Sequence, residues 1–293
     1  MRIDSSCCIV CVATGIYVKG QDRLKRSLEK VGYSGDVLFF ADELPQGALS
    51  QEESPMGYKS FAIREAINKG YKKILWLDAN MVCIRNPKTI FKKIEQVGYY
   101  FWYPYSEYLS QTCSEFTLEK LGVSKVLASS IPDSCAACVG INAENDQAVK
   151  FLEEWLNLSL DGVSYRGYSE NFILANNGII DKTQHNIENH KFDQPVSSYL
   201  IWKYKLRRFH CEVKNIQSRN SRGENVYSRA ISLNVEVVQS RDTKGEKYLE
   251  NIDKWINNKG IAKMKFVLLS IADTVLRYYK YIKNEYKLRR QKI

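Results

Sequence analysis

The first eighty residues alternate between short apolar runs and longer amphipathic segments. The apolar runs cover residues 7–13, 37–41 and 74–77, and runs of this length are typical of buried strands. Between them, residues 21–31 and 58–69 place apolar side chains at helical spacing, which predicts two helices. The order strand–helix–strand–helix–strand indicates a parallel sheet with right-handed crossovers, so we expect an α/β fold.

The alternation continues through the middle of the chain. We predict helices over residues 87–97, 146–158 and 194–204, and strands over residues 99–103, 136–142 and 235–238. Between residues 211 and 229 the chain is polar and rich in Asn, Ser and Arg, which predicts irregular surface structure.

Composition indicates an ordinary globular protein with a sizeable core. The chain has 293 residues, of which 44% are hydrophobic and 26% charged. It shows no signal-peptide pattern and no apolar run of about 18 residues, so we expect a cytoplasmic protein.

The eight cysteines lie mostly in strand-like apolar contexts, which is typical of reduced, buried thiols. Cys8 and Cys11, like Cys135 and Cys138, have the spacing of zinc ligands. Strand alternation sends positions three apart to opposite faces, so we favour core packing over a zinc site.

The end of the chain carries most of the net charge. From residue 259 onward ten lysines and arginines are opposed by two acids, which gives about +8 of the formal net charge of +10. Apolar residues recur at steps of three and four from Ile261 to Ile282, so one face of the predicted helix is apolar and the other cationic. Through residues 259–293 such a helix suits an anionic membrane surface on the inner face of a membrane. The alternative is a helix that packs on the preceding domain.

An acid and an amide follow the third predicted strand. Asp78 and Asn80 come directly after the apolar run 74–77, and ligands of open α/β sheets bind outside the carboxyl ends of strands. In an extended strand end, residues two apart point to the same side. A carboxylate and an amide oxygen could then bind one hard cation, which in turn could bind a diphosphate. The alternative is a cap or turn, which both residue types favour.

The segment that contains these residues resembles a known motif. Residues 71–80, YKKILWLDAN, are similar to the D-x-D strand of nucleotide-sugar-dependent glycosyltransferases of the GT-A (Rossmann-like) fold. The resemblance implies that Asp78 and Ala79 contact the sugar nucleotide and that Asp78 and Asn80 hold Mn²⁺ or Mg²⁺. Asn80 replaces the second acid of the motif with a neutral oxygen, so we expect a weakly held or dispensable ion.

Two earlier segments match the same family in the same order. Residues 10–15 resemble the strand and loop that receive the nucleotide, which implies donor contacts at Ala13, Thr14 and Gly15. An ordinary strand-to-helix turn is the alternative. Residues 58–64 resemble the cationic helix of the family, with Lys59, preferred to Arg64, as the side chain that neutralises the diphosphate. A solvent-facing charge is the alternative.

A later segment, residues 190–198 (HKFDQPVSS), resembles the H-R-x-D-Q-S helix start of bacterial sugar transferases. The resemblance implies that Asp193 binds donor-sugar hydroxyls and that Gln194 lies near the anomeric carbon or the acceptor; Asp193 could also simply cap the helix. Two positions depart from the family: Ala136 replaces the Asn of the N-A-G-V strand, and Gln239 stands where a late metal-binding His is expected.

Together these motifs predict a GT-A catalytic domain over residues 1–245 and a basic helical tail over residues 246–293. The resemblance implies a hexosyltransferase-like enzyme. It would move a sugar from a nucleoside diphosphate sugar to a hydroxyl of a glycan or lipid-linked acceptor, in cell-surface polysaccharide or lipopolysaccharide synthesis. A non-catalytic nucleotide- or glycan-binding protein is the alternative. Nucleic-acid binding is not expected, because the chain outside the tail is nearly charge-balanced.

Overall fold

A computed structural model describes most of the region predicted to form the domain. The described residues are 5–104, 107–175, 179–215, 217–219, 225–227, 235–239 and 279. The predicted boundary at residue 245 and, except for Tyr279, the predicted basic tail therefore lie outside the described residues.

The centre of the described fold is a mixed, mainly parallel sheet. Its strands are β1 (Cys7–Ala13), β2 (Asp36–Ala41), β3 (Lys73–Leu77), β5 (Tyr99–Trp102) and β6 (Cys135–Asn142), with β4 (Met81–Cys83) outside it. The order is β2-β1-β3-β6-β5. β1 pairs in parallel with β2 and β3, and β6 is antiparallel to both β3 and β5. The predicted α/β class is confirmed, as are the three parallel strands of the first eighty residues.

Helices connect these strands. They are α1 (Val18–Lys30), α2 (Tyr58–Asn68), α3 (Lys88–Val97), α4 (Leu109–Thr112), α5 (Glu115–Lys120), α6 (Lys125–Ala128), α7 (Asp146–Ser159), α8 (Glu170–Ala175) and α9 (Asp193–Lys203). The five helices predicted from periodicity correspond to α1, α2, α3, α7 and α9, with ends that differ by at most three residues. These helices are long enough for an apolar face to be visible in the sequence.

Two smaller sheets are present among the described residues. β10 (Val237–Gln239) lies between β4 and β7 (Val213–Asn215), and β8 (Gln217–Arg219) pairs with β9 (Asn225–Tyr227). The expectation of irregular structure over residues 211–229 is therefore wrong for residues 213–215, 217–219 and 225–227. Three-residue strands are too short to show alternation in the sequence.

Among the described residues, buried side chains form two clusters that stabilise the fold. The main core spans both faces of the central sheet and includes Trp76, Trp102, Phe151 and Trp155, each at most 2% exposed. A smaller cluster under α4–α6 includes Leu109 and Ile131. The sequence pattern did not predict these three helices, because four to six residues make little more than one turn.

The eight cysteines all lie within the described residues, and all are free thiols. Six are buried, with Cys135 and Cys211 half-buried. Burial raises the pKa of Cys8 to about 12, with Asp36 adding to the rise, so this thiol is held in its unreactive neutral form. Within the part of the chain that is described, no helix is both long and apolar enough to span a bilayer.

Candidate functional site

The candidate site begins where β3 ends. Asp78 follows the last residue of β3, and its backbone N–H donates to the carbonyl oxygen of Ala137 in β6 at 3.0 Å. The chain then turns, because the N–H of Met81 donates to the carbonyl of Asp78 at 2.9 Å. Asp78 and Asn80 thus lie in a tight turn and not in the extended strand end that was expected. The Oδ1 atom of Asn80 is buried and has no hydrogen-bond partner among the residues that the structure describes.

Lys59 joins this turn to the start of α9. It is the second residue of α2, and its side chain is only 4% exposed. Its Nζ atom lies 3.0 Å from Asp78 Oδ1 and 3.0 Å from Asp193 Oδ2. The same ammonium group donates to the carbonyl oxygen of Ala136 at 3.3 Å. The structure therefore brings together Lys59, Asp78 and Asp193, which lie far apart in the sequence.

The pKa values of Lys59 and Asp193 are each shifted by two opposing effects, burial and the attraction of the opposite charge. Burial alone lowers the pKa of Lys59, but the carboxylates of Asp193 and Asp78 outweigh it and hold that pKa above its ordinary value. Burial raises the pKa of Asp193 to about 6, although the attraction of Lys59 opposes the rise. At neutral pH Lys59 is therefore protonated and Asp193 is ionised, but the pKa of Asp193 lies not far below neutral pH.

The first turn of α9 sets the direction of the Asp193 side chain. The helix begins at Asp193, and the capping position is occupied by Phe192, which supplies no side-chain cap. The Asp193 carboxylate is directed to Lys59 instead, so the alternative that Asp193 is the helix cap does not describe its contact. Phe192 has φ of 54° and ψ of −113°, a left-handed backbone that a phenylalanine adopts only under strain.

Aromatic side chains form one wall beside Lys59. The indole Nε1–H of Trp76 donates to Asp78 Oδ1 at 2.8 Å, and Lys59 Nζ lies 5.6 Å from the centroid of the Trp76 ring. The centroid of the Tyr58 ring lies 6.2 Å from that of Trp76. Asp78 thus has its Oδ1 atom bound by two donors, while its side chain remains 25% exposed.

The predicted nucleotide loop lies at the same edge of the sheet, after β1. Ala13 is buried within the strand, whereas Thr14 and Gly15 are exposed. Gly15 has φ of +56°, and its N–H donates to Asp42 Oδ1 at 2.6 Å. Asp42 follows β2, and the sequence analysis did not single it out. An acid at the end of the neighbouring parallel strand was a signal that could have found it.

Other predicted positions have different surroundings. Ala79 is buried, and its carbonyl oxygen would lie 2.5 Å from a Cβ atom added to Gly20 of α1. The close packing of α1 against Ala79 therefore holds the turn at Asp78 in place. Arg64, the second cation considered on α2, pairs with Glu153 of α7 and not with the two acids. Gln239 is buried in β10 and pairs in register with Met81, next to Asn80 in the chain.

Gln194 is held by an acid that the sequence analysis missed. Its side-chain amide nitrogen donates to Asp133 Oδ2, and Asp133 is buried just before β6. Burial raises the pKa of Asp133. No motif marked this residue, since a single acid in the loop before a strand resembles any other turn residue.

Residues that fit a divalent ion are few at this site. Across the described part of the chain, no group of three or more His, Cys, Asp and Glu side chains is arranged to hold a metal. What is present is the Asp78 carboxylate and the unpartnered, buried Oδ1 of Asn80. One or two protein oxygens are what Mg²⁺ commonly uses when phosphates of a substrate complete its shell. An ion held by these two oxygens would need substrate phosphates to complete its shell.

Comparison with known proteins gives matches among solved structures alone. No family model matches the chain, and no curated protein matches it. The galactosyltransferase LgtC, solved with donor and acceptor sugar analogues, is 11% identical, with a TM-score of 0.39 over 89% of this chain and 100% of that one. Mouse xyloside xylosyltransferase 1 is 10% identical, with a TM-score of 0.43 over 80% and 97%.

A third match is the glycosyltransferase GlyE of Streptococcus pneumoniae TIGR4, 13% identical, with a TM-score of 0.34 over 68% of this chain and 43% of that one. These matched proteins are glycosyltransferases, the family that the motifs of this sequence resemble. At such identities and TM-scores we base the function on the side chains of the site.

Proposed function

We propose that this protein is a glycosyltransferase that moves a sugar from a nucleoside diphosphate sugar to a hydroxyl of a glycan or lipid-linked acceptor. The observation that carries the proposal is the contact of one buried lysine with two acids from distant motifs, Asp78 and Asp193. The cost of burying such charges is large, so an arrangement of this kind at the carboxyl edge of an α/β sheet supports a functional role.

Each side chain has a role that follows from its contacts. Lys59 Nζ has three oxygen atoms within 3.3 Å, those of Asp78, Asp193 and Ala136, so we assign it to positioning the two acids and not to direct phosphate binding. Asp193 accepts hydrogen bonds from sugar hydroxyls through the oxygen that Lys59 does not use. Asp78 is the more exposed acid and faces the diphosphate region, next to the nucleotide loop of Ala13, Thr14 and Gly15.

A divalent ion belongs to the same proposal. Asp78 and Asn80 would hold Mn²⁺ or Mg²⁺ together with the donor phosphates, and the ion would stabilise the negative charge of the departing diphosphate. Because Asn80 is neutral, we expect weak binding without donor. The Asn80→Asp variant adds a charged ligand and should raise the affinity for Mn²⁺ about tenfold, measured by electron paramagnetic resonance of free Mn²⁺ without donor. Unchanged affinity would remove Asn80 from the ligand set.

Donor binding and transfer provide the main test. A panel of nucleoside diphosphate sugars is screened by calorimetry and by hydrolysis, with and without Mn²⁺. Turnover should be lost in Asp78→Asn and Asp193→Asn, and kept in the control Glu144→Gln, which alters an exposed acid paired with Lys72. If both acid variants hydrolyse the donor at the wild-type rate, the proposal fails.

A non-catalytic binding protein is the second candidate, and the neutral residues Asn80 and Gln239 favour it. Tight donor binding, with no product for any metal or acceptor tested, would decide for this candidate. The pH profile separates the two further. Transfer that needs ionised Asp193 should decline as the pH falls through about 6.

The predicted basic tail is the segment that we expect to bring the protein to its acceptor. We expect residues 259–293 to bind an anionic membrane surface from the cytoplasm, where a lipid-linked acceptor would be available. Glutamine substitution of Lys287, Arg289, Arg290 and Lys292 should reduce cosedimentation with phosphatidylglycerol vesicles and leave donor hydrolysis unchanged. Equal cosedimentation of the wild type and the glutamine variant would contradict this role of the tail.

A further inference from the structure

A buried acid outside the predicted site contacts one of its members. Asp133 is 2% exposed and lies in the segment that leads into β6. Its Oδ2 atom accepts a hydrogen bond from the Gln194 amide nitrogen, and its Oδ1 atom accepts one from Ser198 Oγ at 2.6 Å. Gln194 and Ser198 lie one turn apart on α9, so a single carboxylate contacts two positions on the same helix face.

The segment around Asp133 is itself held in place. The backbone N–H of Ser134 donates to Ser198 Oγ at 2.8 Å. Arg208 donates from Nε to Ser134 Oγ at 2.7 Å and from Nη2 to the Pro132 carbonyl at 3.3 Å. Because these contacts come from α9 and from the chain that follows it, the position of the Asp133 carboxylate is defined on more than one side.

An ionised carboxylate can only accept hydrogen bonds. A glutamine amide has two orientations that differ only in exchanging its oxygen and nitrogen, and an unconstrained side chain can adopt either one. Beside Asp133 only the orientation with the nitrogen toward the acid makes a hydrogen bond. The amide oxygen of the half-buried Gln194 is then the atom left to contact a ligand, and no hydrogen bond to it is present among the described residues.

We propose that Asp133 is a positioning residue that fixes the Gln194 amide with its carbonyl oxygen toward the sugar site. This inference rests on the proposed transferase function and specifies it. A fixed carbonyl oxygen accepts a hydrogen bond from a hydroxyl and offers no donor in return. The site therefore selects a substrate with a hydroxyl that can donate to this oxygen. An analogue with fluorine in place of that hydroxyl should not be accepted.

The first experiment reads the contact without turnover. The side-chain amide of Gln194 is observed by nitrogen-15 NMR in glutamine-labelled protein and is identified by its loss in Gln194→Ala. In the wild type this amide should exchange slowly with solvent. Its exchange should accelerate at least tenfold in Asp133→Asn, because asparagine can present either an oxygen or a nitrogen to Gln194. The control Asp161→Asn alters an acid that binds Ser164 instead and should leave the exchange unchanged.

The second experiment measures transfer by the same variants. Asp133→Asn should lower kcat about tenfold or more, with the donor KM changed less than threefold, and Ser198→Ala should give a smaller loss of the same kind. Unfolding midpoints identify any variant that is merely unstable. Exchange and kcat both unchanged in Asp133→Asn would overturn the positioning role while leaving the transferase function intact. A wild type that transfers no sugar from any donor would overturn both.

Discussion

Replacement of Lys59 by methionine gives the sharpest test of the candidate site. Methionine has a similar length and no charge, so the variant removes the ammonium group and little volume. Asp193 is then left buried, at 4% exposure, without its counter-charge. Removing one partner of a buried ion pair typically costs about 3–5 kcal/mol of stability. The matched control is Lys72→Met, whose pair with Glu144 is more than half exposed on both sides and should cost at most about 1 kcal/mol.

The loss of stability in Lys59→Met should depend on pH. Burial already raises the pKa of Asp193 to about 6, and without Lys59 that pKa rises further. An acid whose pKa is higher in the folded than in the unfolded state binds its proton more tightly when folded. Its effect on stability therefore becomes more unfavourable as the pH rises from about 4 through the folded pKa. The loss should be largest near pH 8 and smaller at pH 5.

Urea unfolding, followed by fluorescence at pH 8 and pH 5, measures these differences. The double variant Lys59→Met with Asp193→Asn removes both charges and should regain most of the stability lost at pH 8. The reasoning is refuted if Lys59→Met loses no more stability than Lys72→Met, or if its loss is the same at both pH values.

Three further predictions concern the loops around α9. Gly167 and Gly122 both have positive φ angles, +82° and +67°, but a Cβ atom at Gly167 would lie 2.7 Å from the His190 ring, whereas one at Gly122 would meet open space. Gly167→Ala should therefore lose about 1–3 kcal/mol more stability than Gly122→Ala. Burial lowers the pKa of His190 to about 4; stability should fall by on the order of 3 kcal/mol as the pH drops from about 6.5 to 4, and His190→Gln should remove this fall. Because glycine tolerates the backbone of Phe192, Phe192→Gly should be more stable than Phe192→Ala by about 1 kcal/mol. Equilibrium unfolding checks all three, and equal stabilities within either alanine comparison, or parallel pH curves for His190→Gln and wild type, would contradict them.

Periodicity in the sequence was sufficient wherever an element was long. The strand 74–77 and the helix 58–69 were predicted within one residue of β3 and α2, because burial of one helix face or a whole strand leaves a repeating apolar pattern. The same approach missed α4–α6 and misjudged the segment of β7 to β9. Those elements have only three to six residues, too few for a periodic apolar pattern to appear.

The candidate site was predictable only in part. Asp78 could be selected because it follows a recognisable strand, and Asp193 and Gln194 because their segment resembles the helix start of bacterial sugar transferases. The sequence also placed Lys59 near the cleft, but it assigned the ammonium group to the diphosphate. Its contacts with Asp78, Asp193 and Ala136 follow from the packing of α2 against the sheet, which no local pattern contains. Asp133 could not be found at all from its own segment.

The sequence by itself determined the α/β class, the parallel direction of the first three strands and the residue types available for chemistry. These properties depend on local hydrophobic patterns and on short connections, both of which can be read directly from the sequence. Only the tertiary structure decided that Lys59 is shared between two acids, that Asn80 lies in a turn and that Asp133 holds Gln194. Those contacts join residues up to 134 positions apart in the numbering, and their energies depend on burial and on distances of about 3 Å, which exist only after the chain has folded.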